Sequence, residues 1–324
     1  MRQRYHVAAT FAVAGLAASI WGLVSTGPSG LAMIVGNVAV PAAVMLLVAG
    51  RLEIRLPLSA AVGGAFGGAV VALLSHAVVF GFAYLFFLGF ADAAVDLLDV
   101  LRVDPRFVAA AGSPWALLLF IELVIVAPLT EEVGKAVGAS VFQPLDRRTA
   151  FMSGVAAGAG FAMVENLLYA SFGGFFGGAW EPIVVARMLG AAVHPLATGL
   201  VVLGWWEWRQ SQDFGQLAKR LFAGAGAHAV WNASLVVIAI AASAFELDSL
   251  GEWGVVSLAY SAGLGAVAAA VLWRLTASVD DSSGIPLLDS RDGRVVAAWT
   301  LIAASFLVPV AVLVLAYPAF LGAG

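Results

Sequence analysis

Apolar residues run through this chain in blocks long enough to cross a lipid bilayer, separated by short polar joints. A hydrocarbon core about 30 Å thick takes roughly 20 residues of helix at 1.5 Å each, and helices suit it because their backbone groups pair internally. The pattern predicts about nine spans, near 7–24, 31–49, 60–90, 115–141, 150–172, 182–206, 219–244, 255–273 and 295–319. Arg2 and Arg4 before the first span resemble a signal peptide in outline, but Ser25-Thr26-Gly27-Pro28 is no small-x-small cleavage site, so that span reads as a retained helix. The fold class that follows is all-α, a polytopic transmembrane helix bundle forming a single integral membrane domain over residues 1–324. Residues 276–294, with Asp280, Asp281, Gly284 and Pro286, are its longest polar connection.

The cations give the bundle a direction, because Lys and Arg collect in short cytoplasmic loops. Arg2, Arg4, Arg51, Arg55, Arg147, Arg148, Arg209, Lys219, Arg220, Arg274, Arg291 and Arg294 all fall on one side of a nine-span chain, whereas Arg102 and Arg106 fall on the other. This predicts an N-terminus inside, a C-terminus outside and a multi-pass protein of the cell membrane, with lipid as its constant partner. Asp92, Asp96 and Asp99 recur at helical spacing and read as an amphipathic segment on the outer surface. Gly63, Gly64, Gly67 and Gly68, and Gly154 with Gly158, match the small-residue spacing that lets helices approach closely.

Composition removes several classes of function. The chain is 62% hydrophobic and only 11% charged, against about 25% charged in soluble domains, which excludes a water-soluble enzyme. A formal net charge of -4 leaves no basic surplus to neutralise phosphates, so a nucleic-acid partner is excluded as well. With no cysteine, chemistry must come from Glu, His, Asn, Lys or hydroxyl groups.

Those groups occur where a bilayer should not hold them. An ionisable side chain at the membrane centre costs about 2.5–3.5 kcal/mol on insertion scales, so such residues pair or face a wet cavity. The fourth span carries Thr130, Glu131, Glu132 and Lys135, the fifth Glu165 and Asn166, the sixth Arg187 and His194, and the seventh His228 and Asn232. Counted from the cytoplasmic ends, Glu131, Glu165, His194 and His228 lie roughly 15, 22, 18 and 14 Å deep, which is one layer. The i,i+4 pairs Glu131/Lys135 and His228/Asn232 each share a helix face. Taken singly, the first pair reads as a buried ion pair and the second as an interhelical hydrogen-bond pair. Together they predict a four-helix catalytic core over residues 115–244. Pro128 and Pro195 interrupt two of these spans, each removing a backbone hydrogen bond and freeing a carbonyl one turn earlier. Glu122 falls on the face opposite Glu131, and Glu207 reads as a solvated span end.

The order Glu131-Glu132-x-x-Lys135, Phe161-x-x-x-Glu165-Asn166, His194 and His228-x-x-x-Asn232 resembles the PrsW family of intramembrane proteases. That family stands in a wider group with the CAAX prenyl-endopeptidases and the multi-pass scaffold subunit of gamma-secretase. The CAAX-type pattern has an Arg one place after Lys135 and a His in place of Glu165, so the chain sides with PrsW. The resemblance implies hydrolysis of membrane-anchored, single-pass proteins, with anti-sigma factors as the family's example.

For such hydrolysis Glu131 is the candidate base, with Glu132 beside it, since neighbouring carboxylates in low dielectric do not all ionise. Lys135 would orient a carboxylate, His228 and Asn232 donate to an oxyanion, and His194 position water or protonate the leaving amine. Glu165 would polarise, with Arg187 balancing its charge and Asn166 beside it. Glu131, His194 and His228 also make a possible three-ligand zinc site. No metal is the favoured reading, because no HExxH helix is present and the glutamates already supply a base. The competing functions are a proton-coupled transporter and a non-catalytic membrane scaffold.

Overall fold

A computed structural model of the chain describes residues 29–55, 58–71, 74, 78, 120–140, 146–171, 180–244 and 252–279. Among these residues every regular element is helical. In chain order they are α1 (Ser29–Leu52), α2 (Leu58–Val71), a π turn (Glu122–Val126) running directly into α3 (Ala127–Ser140), α4 (Arg147–Ser171), α5 (Trp180–Leu189), α6 (Val193–Ser211), α7 (Phe214–Ala244) and α8 (Glu252–Ser278). Segments 7–24 and 295–319, the second half of 60–90 and the Asp92/Asp96/Asp99 segment lie outside the described residues.

Three helices are long and apolar enough to cross a membrane, over Val35–Leu52, Arg147–Tyr169 and Leu258–Ser278. Two of the other expected spans fall short for visible reasons. The helical run over 120–140 carries Glu122, Glu131, Glu132 and Lys135, too many charges for a plain apolar span. The expected span 182–206 is two helices, not one. Val193 N–H bonds to Gly190 O, and Pro195 sits in the first turn of α6, where its missing donor leaves no gap in the ladder.

Local chemistry sets several helix ends. Asp146 caps α4, its Oδ1 accepting from Thr149 N–H at 2.7 Å. α6 ends at Gln212, in the left-handed conformation with φ 58°, and Asp213 then caps α7 by accepting from Gly215 N–H at 2.8 Å.

α4 is the axis of the bundle. Its span is 83% buried, against 22% for α8, because Ala156, Ala157, Ala159 and Ala162 leave it thin enough to be covered on all sides. Between helices in lipid there is little hydrophobic driving force, so close packing of small residues carries the association. A methyl group added at Gly138 would sit 1.9 Å from Gly63 O, and one at Gly158 would sit 2.3 Å from His194 O. The glycines thus place α3 on α2 and α4 on α6 at backbone contact. Outward positions are apolar, with Ile121, Ile125, Val133 and Val137 forming an exposed stripe.

The basic loops meet at one end. Arg51 donates to Thr276 Oγ1 at 2.6 Å and covers the Trp273 ring, and Arg148 reaches Leu52 O. Glu207 is not a solvated end. It lies between Arg147 (3.3 Å) and Arg220 (3.2 Å), tying α4, α6 and α7 together.

Candidate active site

Four helices deliver charged and polar side chains to one enclosed space. α3 contributes Glu131, Glu132 and Lys135, of which the last two have no exposure and Glu131 only 5%. Lys135 Nζ donates to Glu132 Oε1 at 2.5 Å and lies 3.6 Å from Glu131 Oε2, with the Phe161 ring 4.2 Å away. The i,i+3 and i,i+4 spacings put both acids over the same ammonium. From α6, His194 turns Nδ1 to Lys135 Nζ at 3.2 Å and Nε2 to Glu165 Oε2 of α4 at 2.9 Å. From α7, His228 places Nδ1 3.0 Å from Glu132 Oε1 and Nε2 3.9 Å from Glu131 Oε2. The two imidazole rings meet edge to face, 4.4 Å between centroids.

Hydrogen-bond chemistry assigns the ring protons. An ammonium only donates, so His194 Nδ1 accepts and the proton of the neutral ring is on Nε2. A carboxylate only accepts, so His228 Nδ1 carries a proton and its Nε2 keeps a lone pair. The two glutamates differ in the same way. Both oxygens of Glu132 are engaged, Oε1 by Lys135 and His228 and Oε2 by Thr198 Oγ1 at 2.6 Å. Glu131 Oε2, His194 Nε2, His228 Nε2 and Glu165 Oε2 are buried without an aligned hydrogen-bond partner.

A second group adjoins the first. Arg187 of α5 is ion-paired with Glu165, donates through Nε to Asn166 Oδ1 at 3.1 Å and lies over the Tyr169 ring at 4.1 Å. Asn166 in turn donates to Asn37 O of α1 at 3.4 Å.

The structure therefore brings together Glu131, Glu132, Glu165, His194, His228 and Lys135, with Arg187 and Asn166 behind Glu165. Asn232 is placed differently from the expected oxyanion donor, because its amide nitrogen donates to Leu123 O at 2.8 Å. Glu122, set aside in the sequence, is buried in the π turn. Thr198 was missed although it follows His194 by one turn, the spacing that shares a face. Replacing it with Val is expected to lower stability by about 1.5–3 kcal/mol, the scale of a hydrogen bond to a charged group, while Thr198→Ser retains the parent's stability. Reversible unfolding of the two variants decides this.

The donor atoms of Glu131, His194 and His228 lie within 4.8 Å of one another, and their unmet burial fits a bound divalent metal in number and kind. The absence of an HExxH helix carries no weight against such a site, since these ligands come from three separate helices.

Helices long and apolar enough to cross a membrane thus close around buried acids and imidazoles, which makes the chain a membrane protein with a polar core. The sequence model of the PrsW family, described as intramembrane metalloproteases, matches residues 57–260, more than half of the chain, and the chain belongs to that family. No curated protein and no solved structure matched it.

Proposed function

We propose that this chain cleaves membrane-anchored proteins by adding water to a peptide bond, with the water held between Glu131 and His228. The observation that carries this reading is the pair of buried acceptors, Glu131 Oε2 and His228 Nε2, standing 3.9 Å apart with no donor between them. One water at about 2.8 Å from each atom spans that gap and donates one proton to each. Its remaining lone pairs then point at the carbonyl carbon. Glu131 is the base, because Glu132 has no oxygen left to offer, and Glu132 holds His228 in the tautomer that accepts.

His194 Nε2–H is the donor for the tetrahedral oxyanion, a role that passes to it from His228 and Asn232. Lys135 holds the far side of that ring at Nδ1, and Glu165, paired with Arg187, stands beside Nε2. Three carboxylates face two permanent cations, Lys135 and Arg187, which leaves one net negative charge. When Glu131 takes a proton from water, that charge passes to the attacking oxygen and then to the tetrahedral oxyanion, and Glu131 returns the proton to the leaving amine.

A second reading rests on the three unmet donors and the family's description. Glu131, His194 and His228 would hold a zinc ion, which when bound supplies a Lewis acid and an acidified water. Accommodating it requires the His194 proton to leave Nε2, and Lys135 at Nδ1 opposes that move. A scaffold role accounts less well for the site, because each buried polar atom without a partner costs about 1–3 kcal/mol. A proton-coupled carrier lacks support from any internal repeat.

Single-pass membrane proteins, anti-sigma factors among them, are the proposed substrates, and the cell membrane the location. The gathering of Arg51, Arg147, Arg148 and Arg220 at one end of the bundle supports that end as the cytoplasmic one, and an N-terminus inside with a C-terminus outside is proposed from the nine expected spans. The test is cleavage of a single-pass substrate by purified protein in proteoliposomes, with and without a strong zinc chelator. Cleavage is expected to survive chelation. Loss of activity that zinc restores would move Glu131 from base to metal ligand, and no cleavage under either condition would sink the protease reading.

A further inference from the structure

The fourth span changes helical register just before its glutamates. In the π turn Glu122–Val126 the hydrogen bonds reach back five residues instead of four, as Ala127 N–H to Glu122 O shows. The next bond in that register would run from residue 128 to Leu123 O, but Pro128 has no N–H to give. The π turn stops there, with the Leu123 carbonyl deprived of its main-chain donor. The amide of Asn232, projecting from α7, donates to that oxygen at 2.8 Å.

This placement has a geometric consequence. A π turn adds one residue to the helical count, rotating everything after it by about 100° relative to an uninterrupted α-helix. Glu131 and Glu132 begin four residues after Ala127, with only one helical turn between. Asn232 lies one turn beyond His228 on α7, so a single face of α7 holds both the carbonyl before the glutamates and Glu132 itself.

We infer that Asn232 is a positioning residue: it supplies the hydrogen bond that Pro128 withholds from Leu123 and so locks the register shift that turns Glu131 and Glu132 into the chamber. The effect on cleavage rests on the reading given under Proposed function, whereas the lock itself does not.

The test uses the full chain in detergent and in proteoliposomes. Asn232→Leu keeps the shape and removes the donor, and kcat is expected to fall roughly 100-fold, the scale of a misplaced catalytic group, with KM little changed. Pro128→Ala restores an N–H that reaches Leu123 O in the same register. In the Pro128→Ala background, Asn232→Leu is therefore expected to change kcat by no more than about threefold. Losses that multiply instead would show that Asn232 acts on the reacting atoms and would overturn the inference.

A second readout needs no activity. The chain has no cysteine, so spin labels can be placed uniquely at Ile121 and Val137, both exposed and on either side of the π turn. Asn232→Leu is expected to broaden or shift their distance distribution, and Pro128→Ala with Asn232→Leu to keep it as narrow as in Pro128→Ala alone. An unchanged distribution in Asn232→Leu overturns the lock even if the chain proves to be a protease. If Asn232→Leu alone does not fold, the comparison within the Pro128→Ala background still decides. A chain that cleaves nothing defeats the proposed function and leaves this measurement standing.

Discussion

Glu131→Gln abolishes cleavage, with a fall of about 10³-fold or more expected from loss of a general base, while the unfolding midpoint in detergent moves little. The asymmetry between the two neighbouring acids is the reason. Glu131 offers an oxygen that no hydrogen bond satisfies, and its closest cation is 3.6 Å away, so an amide of the same shape loses a proton acceptor and little else. Glu132→Gln behaves in the opposite sense. Its Oε1 accepts from Lys135 and His228 and its Oε2 from Thr198, so the amide keeps these contacts only by turning its NH2 to the Thr198 hydroxyl, and it leaves the buried Lys135 ammonium without its closest counter-charge. Glu132→Gln is expected to lower stability first, with activity lost through the fold. Single-turnover cleavage alongside thermal unfolding by tryptophan fluorescence separates the two, and an active Glu131→Gln would remove Glu131 from the reaction.

Lys135→Met carries the largest expected loss of stability. The ammonium is fully buried between two carboxylates and an imidazole, and removing it leaves Glu132 as an uncompensated buried charge. Breaking a buried pair in this way costs about 3–5 kcal/mol. Replacing both members by apolar residues of similar size, Lys135→Met with Glu132→Met, is expected to recover most of that stability without recovering cleavage. Reversible unfolding of the parent and the two variants measures it. A single Lys135→Met as stable as the parent would mean that Glu132 is held in its uncharged form.

The helical class and the site could be read from the sequence for different reasons. Long apolar blocks have one solution in lipid, and charges are so costly there that Glu131, Glu165, His194 and His228 identified themselves by depth alone. Their partners were harder to see. Thr198 is an ordinary small residue in an apolar span, and nothing but its one-turn offset from His194 distinguishes it. Asn232 was recognised, but which group its amide meets depends on the π turn, and no composition signal marks a π turn apart from the proline that ends it. The division of residues 182–206 into α5 and α6 was hidden because Gly190-Ala191-Ala192 is as apolar as the helices it separates. Glu207 looked like a solvated end because its partners, Arg147 and Arg220, come from distant loops.

The bare glycine contacts also restrict how a polypeptide can reach the acids. Where Gly138 meets Gly63 and Gly158 meets the His194 carbonyl, the helices of the bundle touch main chain to main chain, with no side-chain layer that could swing aside. Such seams part only by separating whole helices. Under the proposed function, an extended segment of target protein has no entry between α2 and α3 or between α4 and α6.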